Sequence, residues 1–219
     1  MYKRQTNFKV MYTSLKNQKN LIEVKPSKKL LLQVLVGWVS PKSKFYLIVR
    51  NPFDRVRSFY KSKFLRAEQN RLSMLKRDKG NWQASTEYFF PYLGLDTKMD
   101  PTFISARLAS TKIDDMISIL PEVYMDDGHM SPQCIAGRTN WGLGFNVRLP
   151  IRFERIFKIE NAVDLNEMSD TFGLDLSIKL NDTGDLDDQQ PLSTESVKTI
   201  RRLYKEDFTS FEYDQSPVV

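Results

Sequence analysis

Phe45-Tyr46-Leu47-Ile48-Val49-Arg50-Asn51-Pro52-Phe53-Asp54-Arg55-Val56-Arg57-Ser58-Phe59-Tyr60 is the stretch on which the fold turns. Its first five residues form a short continuous run rich in aromatic and β-branched side chains, which reads as a buried strand. Asn51-Pro52 then opens a helix, because the fixed φ and missing N–H of proline suit a first helical turn. The spacing of Phe53, Val56, Phe59, Tyr60 and Phe64 carries that helix to about Gln69 with one apolar face. Arg50 therefore stands where a strand ends, the edge at which ligands gather in open α/β sheets.

Outward from this stretch, strands and helices alternate. Residues 8–11 read as a strand end followed by a helix over 13–20, and residues 28–39 as a helix packed on a sheet. Residues 66–81 are strongly polar and read as a helix end plus a loop. Residues 85–93 and 101–110 read as short helices, and 112–120 as a helix or a strand. A loop follows over 126–133. Arg155-Ile156-Phe157-Lys158-Ile159 reads as a second good strand, and 163–172 as a helix ended by Gly173. Residues 181–190 form an acidic, turn-rich loop. Ser193 starts a last helix that sends Val197, Ile200, Leu203, Tyr204 and Phe208 towards the core. The alternation argues for an α/β fold with a parallel sheet.

The chain has 219 residues, which suits a single domain over 1–219. Hydrophobic residues make up 41%, enough for a sizeable core. The net charge of +6 favours polyanionic partners, although the basic residues are dispersed and also fit a solvated surface. One cysteine, Cys134, excludes an intrachain disulfide and reads as a buried, inert thiol. No apolar run approaches the roughly 20 residues that span a bilayer. The expected location is cytoplasmic if the chain is complete, and the Golgi lumen if an anchor has been removed. No Cys/His cluster has metal spacing, so no metal is expected.

Two segments have the chemistry to hold phosphate. Lys9-Val10-Met11-Tyr12-Thr13-Ser14-Leu15 leads from a strand end into a helix start, where unpaired N–H groups and the positive dipole end favour an anion. Thr13 and Ser14 add hydroxyl donors and Lys9 a point charge. The Gly-Lys-Ser/Thr ending of a Walker loop is absent. By itself the segment also fits a surface lysine before a Thr-Ser helix cap. In the second segment, Arg50 offers a bidentate fork and Ser58 a hydroxyl, provided the loop between them folds back. A capping arginine and a neutral helix serine fit those residues too.

Taken together, these motifs resemble those of sulfotransferases that use 3'-phosphoadenosine-5'-phosphosulfate (PAPS), above all the carbohydrate sulfotransferase group. That family carries Lys-x-x-x-Thr-Ser, matched by Lys9, Thr13 and Ser14. It also carries Arg-Asp-Pro-x-x-Arg-x-x-Ser-x-Tyr, matched by Arg50, Pro52, Arg55, Ser58 and Tyr60, with Asn51 in place of Asp. Asp127-Gly128-His129-Met130-Ser131-Pro132-Gln133 is similar to its His-x-x-Pro-Gln loop. Residues 155–161 are similar to its late strand ending in Glu-Asn, and 200–213 to its closing helix. Tyr12 departs from the pattern, since relatives carry Gly or Ser there.

The resemblance implies a P-loop-NTPase-like three-layer fold with a central, mostly parallel sheet flanked by helices. It implies PAPS as co-substrate, held by Lys9, Thr13, Ser14 and Leu15 at the 5'-phosphosulfate and by Arg50 and Ser58 at the 3'-phosphate. The implied reaction transfers a sulfuryl group to a hydroxyl, with a carbohydrate as acceptor and no nucleic acid as partner. Lys9 then stabilises the leaving oxygen. His129, the only histidine, is the candidate base, with a loop-bonding structural role as its alternative. Glu23 and Glu160 are fallback bases. Trp82, Tyr88, Phe89, Phe90, Trp141 and Phe145 are candidate acceptor-stacking rings, or core. Two other functions compete: a P-loop-like kinase, and a catalytically degenerate nucleotide- or nucleic-acid-binding protein, which Tyr12 keeps open.

Overall fold

The computed structural model describes residues 2–6, 21–23, 44–135, 138–140, 146–148, 153–173 and 191–216, with side chains over 46–135, 153–173 and 191–216. The expected elements over 8–11, 13–20 and 28–39 and the acidic loop over 181–190 lie outside these residues. The fold is α/β, and the chain divides into two compact units, 1–50 with 133–181 and 51–132 with 182–219.

The first unit holds a four-stranded sheet of β1 (Tyr2–Thr6), β2 (Leu21–Glu23), β3 (Lys44–Val49) and β6 (Phe153–Lys158). The order is β2-β1-β3-β6 and every pairing is parallel. The expected buried strand is β3, and it lies inside the sheet, with Leu47 opposite Gln5 on one side and Ile156 on the other. Its side chains alternate in direction, yet Tyr46, Leu47, Ile48 and Val49 are all buried. A strand covered on both faces needs an unbroken apolar run, as this one has.

Tyr46 and Ile48 pack with Phe157 of β6 and with Met168 and Phe172 of α7 (Ala162–Phe172). The Tyr46 ring stacks on Phe157 at 6.0 Å and meets Phe172 edge-on at 5.0 Å. Each such aromatic contact contributes about 0.5–1.5 kcal/mol beyond the area it buries. Asn161 caps α7 by accepting the Val163 and Asp164 N–H groups. Asp164, buried in the first turn, accepts the Lys158 N–H at 2.8 Å and an Arg155 Nη2 bond at 2.9 Å, which fastens β6 to α7. A short antiparallel hairpin joins β4 (Arg138–Asn140) to β5 (Asn146–Arg148).

The described part of the second unit is helical. Asn51 caps α1 (Pro52–Tyr60) by accepting the Phe53 N–H at 2.9 Å, with Pro52 in the first turn. The helix does not stop near Gln69. It passes through a π-helical turn, Lys61–Leu65, into α2 (Ala67–Leu75). The expected helix over 85–93 is two single turns, α3 (Ala84–Glu87) and α4 (Phe90–Leu93). α5 spans Pro101–Ser110 as expected. The segment after it is a helix, α6 (Ile113–Val123), with Pro121 inside. Ser193 caps α8 (Thr194–Leu203), and α9 (Lys205–Ser210) follows a break at Tyr204. The core of this unit gathers Phe53, Phe64, Phe89, Leu120, Ile200 and Phe208, all at most 3% exposed. Trp82, Phe89 and Phe90 are core side chains, while Tyr88 is exposed.

Candidate functional site

Arg50 follows the last residue of β3, and the chain holds its backbone from both sides. Its N–H donates to Gln133 Oε1 at 2.9 Å, and Gln133 Nε2 donates to its carbonyl at 2.6 Å. Gln133 is fully buried, so its amide stands in for a missing strand neighbour. One residue earlier, the Ile159 N–H donates to the Val49 carbonyl at 3.1 Å and extends the β3–β6 ladder to its end. This fixes where the Arg50 side chain starts.

The Arg50 side chain is one-third exposed, and its Nε lies 3.8 Å from Glu160 Oε1. That distance is an ion pair and too long for a hydrogen bond. Nε is a buried donor with no hydrogen-bond partner among the described residues. Such a donor costs about 1–3 kcal/mol to leave unsatisfied, and an oxyanion is the acceptor that best fits a guanidinium fork. Glu160, a fallback base from the sequence, is here the counter-charge of Arg50.

In the second unit, Arg55 of α1 is 5% exposed. Its Nη2 donates to the carbonyls of His129 at 2.7 Å and Ser131 at 2.5 Å. Nη1 lies 3.7 Å from Asp207 Oδ2, and the guanidinium sits over the Tyr204 ring at 5.8 Å. Asp207 is fully buried. Burial pushes the Tyr204 hydroxyl far above its ordinary pKa, against the opposing pull of Arg55. Arg55 thus organises the loop; the motif match alone assigned it no such task.

The loop from Asp127 to Ser131 is a tightly bonded turn. The Asp127 carbonyl accepts the Met130 N–H at 2.9 Å and the Ser131 N–H at 2.8 Å. Asp127 Oδ1 accepts the His129 N–H at 3.0 Å and lies 2.7 Å from His129 Nδ1. Burial pushes the Asp127 carboxyl up, but hydrogen bonding from His129, the charges of His129 and Lys63, and the backbone bond outweigh it, so it lies below its ordinary value. Lys63, buried in the π-helical turn, also donates to Gln83 Oε1. The His129 ring is largely buried and packs 6.3 Å from the Phe59 ring.

Ser58 lies half-buried on α1, in the second unit, whereas Arg50 belongs to the first. Lys9, Thr13, Ser14 and Leu15 lie outside the described residues, as do Tyr12, Trp141 and Phe145. Glu23 is on β2. Cys134 is half-buried in a single 3-10 turn. Among the described residues, no group of three His, Cys, Asp or Glu side chains is placed to hold a metal, and no helix is long and apolar enough to cross a membrane.

The sequence reading missed the clamp by Gln133 and the partners Asp127, Lys63 and Asp207. One signal was present. An aspartate two residues before a histidine, across a glycine, is the spacing at which the carboxylate takes the second backbone N–H. Comparison with protein-family models, with curated proteins and with solved structures finds no match.

Proposed function

We propose that the chain is a PAPS-dependent sulfotransferase with a three-layer, P-loop-like arrangement, acting on a hydroxyl of a carbohydrate. The observation that carries this reading is Arg50. It stands at the end of a strand inside a parallel sheet, its backbone locked by Gln133 and its buried Nε in need of an acceptor. Gln133, from the Pro-Gln motif, bonds the backbone of Arg50, the first residue of the Arg-x-Pro-x-x-Arg-x-x-Ser motif, 83 positions away in the chain. That supports treating them as parts of one functional arrangement.

In the proposed reaction the acceptor oxygen attacks sulfur in line. An O–S bond forms, the S–O bond to the phosphate breaks, and 3',5'-bisphosphoadenosine leaves. Arg50 and Ser58 hold the 3'-phosphate, Thr13, Ser14 and Leu15 hold the phosphosulfate, and Lys9 meets the charge on the leaving oxygen. His129 takes the acceptor proton. The test is a thermal-shift panel with labelled-donor transfer behind it. The bisphosphate should stabilise the chain selectively, Arg50→Ala and Ser58→Ala should abolish the shift, and Lys9→Ala should lose turnover while keeping it. Selective stabilisation by ATP with magnesium, or by nucleic acid, sinks the proposal.

A further inference from the structure

The geometry points to Asp127 as the residue that sets the tautomer of His129, holding the proton on Nδ1 and leaving Nε2 as the basic nitrogen. The inference rests on the sulfotransferase reading for what Nε2 would accept. It rests on contacts within the second unit for the tautomer itself.

Three features converge. Asp127 Oδ1 is 2.7 Å from Nδ1 and takes the His129 backbone N–H at 3.0 Å, so one carboxylate oxygen fixes both ring and backbone. A carboxylate offers only lone pairs at neutral pH, so the ring nitrogen facing it has to be a donor. In a neutral imidazole that leaves the other nitrogen unprotonated. Second, Arg55 holds the carbonyls of His129 and Ser131, so the turn cannot swing the ring away without breaking two charge-assisted bonds. Third, Lys63 supplies a positive charge to a carboxylate that is 6% exposed, and it does so from the π-helical turn. π-turns inside α-helices are rare and often mark functional positions. This one carries a buried ammonium, Lys63, on the segment that follows α1, the helix whose Arg55 bonds the loop.

Asp127 is a positioning residue, acting through His129. The reaction needs its charge and its place, and no bond forms to it. Because His129 is the sole histidine, the tautomer is readable without assignment. Long-range proton–nitrogen NMR on the 15N-labelled full chain, at a pH of about 8 where an ordinary imidazole is neutral, should show the Nδ1–H form. Asp127→Asn should shift the population towards Nε2–H and lower turnover by roughly 100-fold or more. The Asp127→Asn/His129→Ala double variant should be no slower than His129→Ala alone. An Nε2–H tautomer in the unaltered protein overturns the inference, and so does a spectrum that Asp127→Asn leaves unmoved. An Nδ1–H tautomer with no sulfuryl transfer and no response to the bisphosphate upholds the Asp127–His129 pairing and defeats the sulfotransferase reading instead.

Discussion

At Gln133 a single side-chain amide satisfies two backbone groups of Arg50. Gln133→Ala should cost roughly 1–3 kcal/mol, the penalty for buried polar groups left without partners. Urea denaturation checks it, and a midpoint unchanged from the parent would show that water replaces the amide. Arg55 carries a larger stake because Asp207 is buried with it. Arg55→Met should destabilise by about 3–5 kcal/mol, because it removes the cation that faces a buried carboxylate. Adding Asp207→Leu should recover part of the loss, and a double-mutant cycle measures how much. None of these partners was legible in the sequence. A hydrogen bond between residues 83 positions apart leaves no local pattern, whereas the Asp127–His129 pair, two apart, does.

At the scale of elements, β3 was readable because burial on both faces demands an unbroken apolar run. β1 was harder to read and was expected to end later, at 8–11, since Tyr2-Lys3-Arg4-Gln5-Thr6 has no such run, yet its backbone pairs with both β2 and β3. At three residues, β2 is too short for a periodic signal. The reading of 66–81 as a helix end plus a loop holds in kind, but the helical part, α2, runs past Gln69 to Leu75, with polar residues held by tertiary contacts. Glu68 of α2 bonds Arg71 and also accepts the Ser105 hydroxyl of α5 at 2.6 Å. The Arg71 and Ser105 bonds lower the Glu68 carboxyl to about 2 from an ordinary 4.5. A folded value below the unfolded one gives stability that is complete above pH 4.5 and is lost as pH falls towards 2. Glu68 is 45% exposed, so solvent screens the effect to a small one. Glu68→Gln should flatten the acid limb of a pH–stability curve in that window only. At the end of α7, Gly173 has φ 63°. A Cβ there meets nothing within 4 Å. Gly173→Ala should therefore lose only the backbone term, about 1–2 kcal/mol by thermal melting.

At the scale of the whole molecule, each unit is assembled from two stretches of the chain. The helical unit is closed by α8 and α9, which add Ile200, Tyr204 and Phe208 to its core and Asp207 to Arg55. A chain ending before residue 191 should lose near-UV circular dichroism from the clustered aromatic rings while keeping helical far-UV signal. Full retention of the near-UV spectrum would show that 51–132 packs without them. The α/β class was legible from the alternation of strand and helix patterns, but the division into two units was not. Both units are built from segments distant in the chain, and periodicity reports only on neighbours.

β6 lies beside β3 in the sheet, yet on the order of 100 residues separate them along the chain. A ribosome adding about 5–20 residues per second takes roughly 5–20 s to cover that gap. During that interval Tyr46 and Ile48 have neither Phe157 nor α7 to pack against, and β3 is an apolar strand with an open edge. The newly made chain thus passes through a window in which its most β-prone segment invites pairing with other chains. Slowing synthesis across residues 50–153 should lower the yield of native protein, and a chaperone that binds short apolar strands should restore it.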